Sequence, residues 1–384
     1  MLIYGDNIQT PGGYTVTASS AAVLLSSVTP NRTGVNSPST LTLTGAGFDG
    51  SSSVQFIDAS RNVYPATSLS VDSFTQITAN EAAGILPAGT YSIRVALGQG
   101  ASATLANAFQ VLSNGAPNLV TSLTLPSQVG YHLPATIYGN YANTGDASMP
   151  APLLVLTPTQ NGNQGAFLTL DSSLVAQGLW TSARPSGLYP SIAFLGSGQA
   201  PGSLLPGESL NTPVYYAGWQ QPWNFSYPPI NWNLAVWKAD DTTPIDWSWF
   251  KTNMQPAAFS GEAWEAVWVA FTNEVGSTWG NYVTMLDNNA SYLGRLGLNV
   301  SDVSKLFHFQ LLQADGMYPM RTLASSVDAS VPMPGLALTF SRTFWEPISQ
   351  RYAMGAYGRG WFHNWQYSLH QGSDAMVTIT GPKL

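Results

Sequence analysis

Cysteine is absent from the 384 residues, and charged side chains are scarce. Without cysteine the chain forms no disulfide and offers no thiolate as a nucleophile or a metal ligand. Charged residues make up 9% of the chain, against about 25% in an average soluble protein. The hydrophobic fraction of 44% is high enough to bury real cores and argues against disorder.

The charges that are present are scattered and mostly acidic, with 20 Asp and Glu against 13 Lys and Arg. Without a basic cluster the chain has no electrostatic footprint for nucleic acid or for an anionic membrane. No apolar run approaches the roughly 20 residues of a membrane span. The first residues, MLIYGDNIQTPGGYTV, lack the basic and apolar regions of a signal peptide. We expect neither nucleic-acid binding nor membrane insertion, and any export signal to lie outside this chain.

Residues 27–113, which follow an N-terminal segment of residues 1–26, alternate apolar and polar side chains in several short runs separated by turn signals. The apolar positions are Leu41, Leu43, Val54, Phe56, Tyr91, Ile93, Val95, Leu97, Phe109 and Val111. Side chains two apart lie on one face of a strand, so the pattern predicts an antiparallel sandwich.

The same segment resembles an IPT/TIG domain, which is an immunoglobulin-like sandwich. The resemblance lies in G-x-G-F at residues 45–48, in S-x-T-Q-I-T-A at residues 73–79 and in A-G-T-Y-S-I-R-V from Ala88. Residues 114–218 are β-patterned more weakly. Their N-T-G-D turn at residues 143–146 and P-G-E-S turn at residues 206–209 resemble a CARDB-like bacterial adhesion-related sandwich.

Tryptophan is concentrated after Gly218, where residues 219–259 form a Trp/Pro-rich segment that we interpret as a linker. Its tryptophans are Trp219, Trp223, Trp232, Trp237, Trp247 and Trp249. Exposed aromatic faces bind the apolar faces of sugars, whereas buried ones contribute to a core. These six residues are therefore the candidate carbohydrate-binding residues.

Residues 260–316 change to a helical period and predict a module of three helices. The first has Trp264, Trp268 and Phe271 on one face, with Ser260 as N-cap and Gly276 at its end. The second is predicted over residues 279–293. The third is predicted from Ser301 as N-cap to about residue 314.

Residues 317–384 return to strand patterns, with Leu336, Leu338 and Phe340 alternating in one run. His363 and Leu369 belong to a second run that we interpret as one strand. The motifs P-G-L-A-L-T-F-S-R-T-F at residues 334–344 and G-R-G-W-F-H-N-W at residues 358–365 resemble the leading strands of an RHS/YD-repeat protein. That resemblance implies the start of a β-cage built from tyrosine-aspartate repeats, which is truncated here because no repeat follows within the chain.

A glycine motif and four histidines are the candidates for cofactor and metal chemistry. G-x-G-x-x-G at residues 45–50 matches a dinucleotide fingerprint, but the residues after it alternate as a strand, which favours a tight turn. The histidines have no metal-ligand spacing, and His363 and His370 fall on opposite faces of the predicted strand. We expect no cofactor and no metal.

Paired carboxylates are the remaining enzymatic option, since glycosidases use two of them. Glu262 and Glu265 lie three apart on the first predicted helix, where the helix dipole alone explains acidic residues. Asp240, Asp241 and Asp246 offer oxygen ligands but lack the spacing of a calcium-binding loop.

Taken together, these patterns predict a mainly β protein with tandem immunoglobulin-like β-sandwiches, a small helical module and RHS-like β-strands. The expected function is that of a non-enzymatic, extracellular or cell-surface structural or adhesion protein, the stalk and leading region of an RHS-repeat protein. Its partners would be other surface proteins or glycans. Two alternatives remain open: a carbohydrate-binding accessory region and a glycoside hydrolase fragment.

Overall fold

The computed structural model describes residues 21–128, 133–175, 186–217, 229–257, 259, 261–316, 325–333, 338–345, 347–371 and 376–381. The chain is mainly β and divides into two compact units, Met1–Ala116 and Pro117–Leu384. Each unit encloses its own hydrophobic core.

The first unit contains nine strands in its described part. They are β1 (Leu24–Thr29), β2 (Arg32–Gly34), β3 (Ser39–Ala46), β4 (Ser53–Ile57), β5 (Val63–Pro65), β6 (Ser68–Ser73), β7 (Gln76–Glu81), β8 (Gly89–Ala96) and β9 (Ser102–Leu112). One sheet has the order β1-β3-β7-β6, and the other has the order β2-β9-β8-β4-β5.

The two sheets enclose a core that includes nine of the ten residues identified by alternation, whereas Leu97 is only partly buried against it. Leu41 and Leu43 from one sheet lie in the same cluster as Phe56 and Ile93 from the other, and all four are fully buried. The immunoglobulin-like sandwich predicted for this segment is confirmed.

The glycine motif is a turn that makes room for an aromatic ring. A Cβ on Gly45 would lie 2.6 Å from the ring of Phe48, which is buried, and Gly47 has a φ of +85°. The loop leads into strand β4 and not into a helix, so no helix N-terminus is available for a pyrophosphate here. The interpretation as a structural turn is confirmed.

Tyr91 at the start of β8 contributes a second immunoglobulin-like feature. Its hydroxyl donates a hydrogen bond to the carbonyl oxygen of Pro87 at 2.7 Å, across the turn that precedes the strand. This contact back to the upstream backbone is the geometry of a tyrosine corner.

The second unit begins with ten strands in its described residues, of which eight form the two sheets of another sandwich and two pair with each other. The ten strands are β10 (Leu119–Thr124), β11 (Ala135–Asn143), β12 (Met149–Pro150), β13 (Leu153–Gln160), β14 (Asn163–Gln164), β15 (Leu168–Thr169), β16 (Ile192–Leu195), β17 (Ser203–Leu204), β18 (Ser209–Tyr216) and β19 (Asn231–Trp237). One sheet has the order β10-β11-β18-β15, and the other has β13 paired with β14, β16 and β19. The two remaining strands, β12 and β17, pair with each other.

Strand β13 is buried on both of its faces. Leu154 and Leu156 point into the sandwich core, whereas Leu153 and Val155 pack against the helices that follow in the chain. Strands buried on both faces carry continuous apolar runs, and the run L-L-V-L that opens β13 is of this kind.

Strand β19 lies within the segment that we interpreted as a linker. It pairs with β13 along seven registered residues, from Asn231 opposite Thr159 to Trp237 opposite Leu153. The described part of this segment therefore has regular structure, because its apolar residues complete the second sheet of the sandwich.

The turns at residues 143–146 and 206–209 meet at one end of this sandwich through Asn143, which is fully buried. Its amide nitrogen donates to the carbonyl oxygens of Ala147 (2.8 Å) and Leu204 (3.1 Å). Its amide oxygen accepts from the backbone N–H groups of Asn118 and Gly145, both at 3.1 Å. The backbone N–H of Asn143 also donates to the carbonyl oxygen of Glu208, in the second turn.

Four helices follow or flank β19, and a short fifth lies among the last strands. They are α1 (Trp247–Asn253), α2 (Gly261–Val275), α3 (Trp279–Arg295), α4 (Val303–Gly316) and α5 (Ile348–Arg351). The three predicted helices are confirmed as α2, α3 and α4. Gly276, with a φ of +100°, ends α2 as expected.

The helix caps differ from the sequence-based expectation at one position. Ser260 lies outside the described residues. Ser301 was wrong as the N-cap of α4, because Asp302 accepts the hydrogen bond from the backbone N–H of Ser304 at 3.0 Å. Thr278 and Asn281 form a capping box at the start of α3, which fixes where that helix begins.

The last strands form small sheets. They are β20 (Ser325–Val331), β21 (Leu338–Phe344), β22 (Met354–Gly355), β23 (Gly358–Arg359), β24 (Trp361–His363), β25 (Ser368–Gln371) and β26 (Val377–Thr380). The single strand predicted to carry both His363 and His370 was wrong. A turn, in which the Gln366 N–H donates to the His363 carbonyl, separates β24 from β25.

Asn143→Ala is expected to destabilise the second unit by about 2–4 kcal/mol, since it leaves the buried N–H of Gly145, the N–H of Asn118 and two carbonyl groups without their partner. Urea unfolding followed by tryptophan fluorescence measures this loss.

Asn140→Ala is the matched control for this prediction. Within the described part of the chain, the Asn140 amide bonds to the exposed hydroxyl groups of Ser122 and Thr124, so its loss should cost less than about 1 kcal/mol. Equal effects of the two substitutions would contradict the role assigned to Asn143.

Candidate functional site

The predicted carbohydrate-binding tryptophans are not gathered on one exposed surface within the described residues. Trp219 and Trp223 lie outside those residues. Trp232 is half-buried, packs against the core of the second sandwich and meets the ring of Tyr216 edge-on at 6.2 Å. Its position in β19 therefore serves the sandwich.

Trp237 and Trp247 are half-buried against the core of the helices. The ring of Trp237 stacks on that of Trp279 with the centroids 4.4 Å apart. Trp247 donates from its indole nitrogen to the carbonyl oxygen of Gly276 at 2.9 Å. Its ring is surrounded edge-on by the rings of Phe250, Trp268, Phe271 and Tyr282.

Trp249 differs from these three because 57% of its surface is exposed. It follows that Trp249 is the one described member of the six whose ring faces solvent enough to stack on a sugar. Carbohydrate binding by the six tryptophans stays a prediction.

The candidate catalytic carboxylates are engaged separately on the surface. Glu265 pairs with Lys251 at 2.5 Å, and Glu262 pairs with Arg359. Both glutamate side chains are well exposed to solvent. This arrangement offers nothing that would hold a sugar ring between two carboxyl groups, and the hydrolase alternative gains no support from it.

The three aspartates of the Trp-rich segment likewise have separate local partners. Asp240 pairs with Lys238, and Asp241 accepts from the backbone N–H of Thr243. Asp246 caps α1, and the hydrogen bonds from Ser248 lower the pKa of that carboxyl. Within the described residues, no three His, Asp or Glu side chains lie close enough together to hold a metal ion.

The histidines are equally dispersed. His132 lies outside the described residues. His363 lies between the rings of Phe340 (5.2 Å) and Tyr357 (5.8 Å), which is a packing environment.

Among the helices of the described residues, none has both the length and the apolar character to cross a membrane.

The strongest surface feature is an apolar face on the β25–β26 hairpin. Leu369 pairs with Ile379 across the hairpin, and Val377 lies two residues from Ile379 on the same side. Their exposed fractions are 73%, 68% and 56%. Ser368, His370 and Thr378 alternate with them, so the opposite face is polar. We call Leu369, Val377 and Ile379 the hairpin face.

The other C-terminal strands are joined by an arginine that lies on two rings. Arg342 in β21 donates to both carboxylate oxygens of Asp328 in β20, at 2.6 and 2.9 Å. Its guanidinium lies 5.7 Å from the ring centroids of Tyr357 and Trp361. These hydrogen bonds lower the pKa of Asp328, and the planar fork suits this geometry better than an ammonium group would.

Short helix α5 anchors this region to the helical core. Ile348 is buried in that core, and both the backbone N–H and the hydroxyl of Ser349 donate to the carboxylate of Asp315 at 2.7 and 2.9 Å. Sequence analysis missed α5, because four residues are too few to show a helical period. The sequence P-I-S, with a buried isoleucine next to a serine, was the only available signal.

The comparisons with known proteins show limited similarity. No protein-family model and no curated protein matches the chain. The crystal structure of DIP-gamma IG1+IG2 is 12% identical, covers 55% of this chain and 93% of its own, and has a TM-score of 0.18. That of a Salmonella alpha-2-macroglobulin mutant is 11% identical, covers 60% of this chain and 15% of its own, and has a TM-score of 0.19. The immunoglobulin-like description rests on the sheet order, the Phe48 turn and Tyr91.

Trp247→Ala is expected to destabilise the second unit by about 3–5 kcal/mol, because it removes a large ring from an aromatic core. Trp249→Ala, two residues away, should cost less than about 1 kcal/mol, since its ring faces solvent.

Chemical denaturation of both variants measures the difference. A loss for Trp249→Ala as large as that for Trp247→Ala would show that the structure assigns their environments wrongly.

Proposed function

We propose that this chain is the stalk and leading region of a larger RHS-repeat surface protein, with a non-enzymatic structural or adhesion role outside the cell. Its first sandwich acts as a spacer. Its second sandwich and the helices form a rigid base for the C-terminal strands.

The residues that carry reactive groups support a scaffold role. The candidate carboxylates are exposed and paired singly, and the tryptophans are mostly used in packing. The apolar residues instead form continuous cores, one in the first unit and two that share β13 in the second. Such a distribution favours a structural or spacing function over a catalytic one.

The hairpin face carries the proposal. A two-stranded hairpin is marginally stable alone in water, and exposed contiguous apolar surface marks a place that another structure covers. Further strands laid on β25 and β26 would bury Leu369, Val377 and Ile379. This is the situation of the first strands of a larger β-structure, as the motifs at residues 334–344 and 358–365 imply.

Composition favours an extracellular setting for this role. The chain has no cysteine, so it offers no thiol that an oxidising environment could modify. The partners that we propose are other surface proteins or glycans.

Replacing Leu369 and Ile379 together by Ser is expected to lower both the binding of an apolar dye and the concentration-dependent association of the 384-residue chain. The physical reason is that these two side chains form the centre of the hairpin face. Dye fluorescence and analytical ultracentrifugation measure the two effects, and thermal unfolding of the sandwiches should be unchanged.

His370→Ser with Thr378→Ser, on the polar face of the same hairpin, is the control and should change neither readout. A fall in the unfolding temperature of the Leu369 and Ile379 variant would oppose the proposal, because it would mean that the face is packed within this chain. So would a gene whose reading frame around this region encodes no tyrosine-aspartate repeats.

Glycan binding is a second candidate, favoured by the exposed ring of Trp249. A glycan array probed with the parent chain should show binding to neutral sugars that Trp249→Ala reduces at least tenfold, while its unfolding curve stays that of the parent. An array without any hit would remove this candidate.

A further inference from the structure

Three residues of helix α3, Gly280, Asp287 and Gly294, are spaced seven apart and therefore lie on one face of the helix. This face packs against the segments that precede the helix in the chain. A Cβ on Gly280 would lie 2.5 Å from the carbonyl oxygens of Ala239 and Asp241, and one on Gly294 would lie 2.6 Å from the ring of Pro201. The helix backbone is therefore in close contact with its neighbours at both of these glycines.

The middle residue of the three is Asp287. Its carbonyl oxygen would lie 2.2 Å from a Cβ on Gly202, so the loop at residues 200–203 touches the helix backbone here as well. Gly202 has a φ of +78°, a conformation that suits glycine. A position this tightly packed favours a small neutral residue, and the chain places a carboxyl group there.

The carboxyl group of Asp287 is buried, with 7% of the residue exposed. Neither of its oxygens accepts a full hydrogen bond within the described part of the chain. The Ala151 N–H faces it but donates to the carbonyl oxygen of Gly202 at 3.1 Å. Burial accordingly raises the pKa of Asp287 well above its usual range, and the Ala151 N–H opposes this only in part.

Charged groups on the surrounding elements do not compensate for this burial. The segments at residues 150–152 and 200–203 contain no ionisable side chain. Glu208, which follows the loop, accepts from the backbone N–H groups of Gln199 and Leu205. Burial is the largest cause of the raised pKa of Asp287. The ionisable groups on the helices packed together here are Tyr282, Tyr292 and Arg295 on α3, Glu262, Glu265 and Glu274 on α2, and Lys305, His308 and Asp315 on α4.

We propose that Asp287 makes the contact between α3 and the loop at residues 200–203 pH-dependent. In acid the loop packs against the helix, and this contact weakens as the carboxyl group of Asp287 ionises. Ionisation places a charge without a counter-ion against Gly202 and Ala151. Separation of the loop from the helix admits water to that charge, whereas the rest of α3 stays in the helical core through residues such as Val283 and Leu286.

The direction of the effect follows from the sign of the pKa change. The closed state binds the proton more tightly than the open state, in which the carboxyl group has its ordinary pKa of 3.8. Closure is therefore most favourable below that value and becomes less favourable as the pH rises toward the raised pKa. Within this window each pH unit shifts the opening equilibrium by up to about tenfold.

Hydrogen exchange of the full chain between pH 4.5 and 8, expressed as protection factors corrected for intrinsic exchange, tests the proposal. The parent chain should lose protection with rising pH in peptides covering residues 150–153, 197–205 and 287–295. Peptides from β11 and β18 should keep theirs. Asp287→Asn removes the charge at nearly constant shape and should make the protection at this contact independent of pH.

Asp240→Asn removes an exposed carboxylate of the same unit and should behave as the parent does. Asp287→Ser, smaller and also neutral, tests the same point if the amide is not accommodated. Hydrogen-exchange protection that still depends on pH in the neutral variants would overturn the proposal. So would a parallel loss of protection in β11 and β18, because that would indicate unfolding of the whole unit.

Discussion

Burial of strand β13 on both faces is the constraint on which the second unit depends. In its first half, Leu153 and Val155 belong to the core of the helices, and Leu154 and Leu156 belong to the sandwich core. Two hydrophobic cores therefore share one strand, so neither the helices nor the second sheet can shift without disturbing the other. Strand β19 adds to this arrangement because Trp237 at its end reaches the helical core.

Because charged side chains are scarce, hydrogen bonds to backbone groups and close contacts between backbones hold the turns and loops of the second unit in place. Asn143 joins the two turns of the second sandwich without any ion pair, and Glu208 holds its loop by accepting backbone N–H groups. Glycines contribute where backbones touch, as at Gly202. In such a structure a buried carboxyl group has few charges to balance it, and burial raises the pKa of Asp287 well above its usual range.

Much of the fold could be predicted because its elements carry local patterns. Alternation identified the core of the first sandwich, and helical periodicity identified α2, α3 and α4. The Trp-rich segment was harder to interpret, since only the first four residues of β19, N-W-N-L, alternate and the last three, A-V-W, are apolar on both faces. The environments of Trp247 and Trp249 differ because α2 and α3 pack around Trp247. No local pattern in the sequence indicates that packing.

The site was harder to predict than the fold, for a physical reason. Exposure determines whether an aromatic or aliphatic residue binds something or fills a core, and alternation in a strand is the same in both cases. Leu41 and Leu369 both alternate with polar neighbours, yet the first is fully buried by a facing sheet and the second is open to solvent. Only the presence or absence of a facing layer distinguishes them, and that is a property of the whole unit. Within the described residues Leu369 has no such facing layer, and the function proposed above accounts for its exposure by further strands that would cover it.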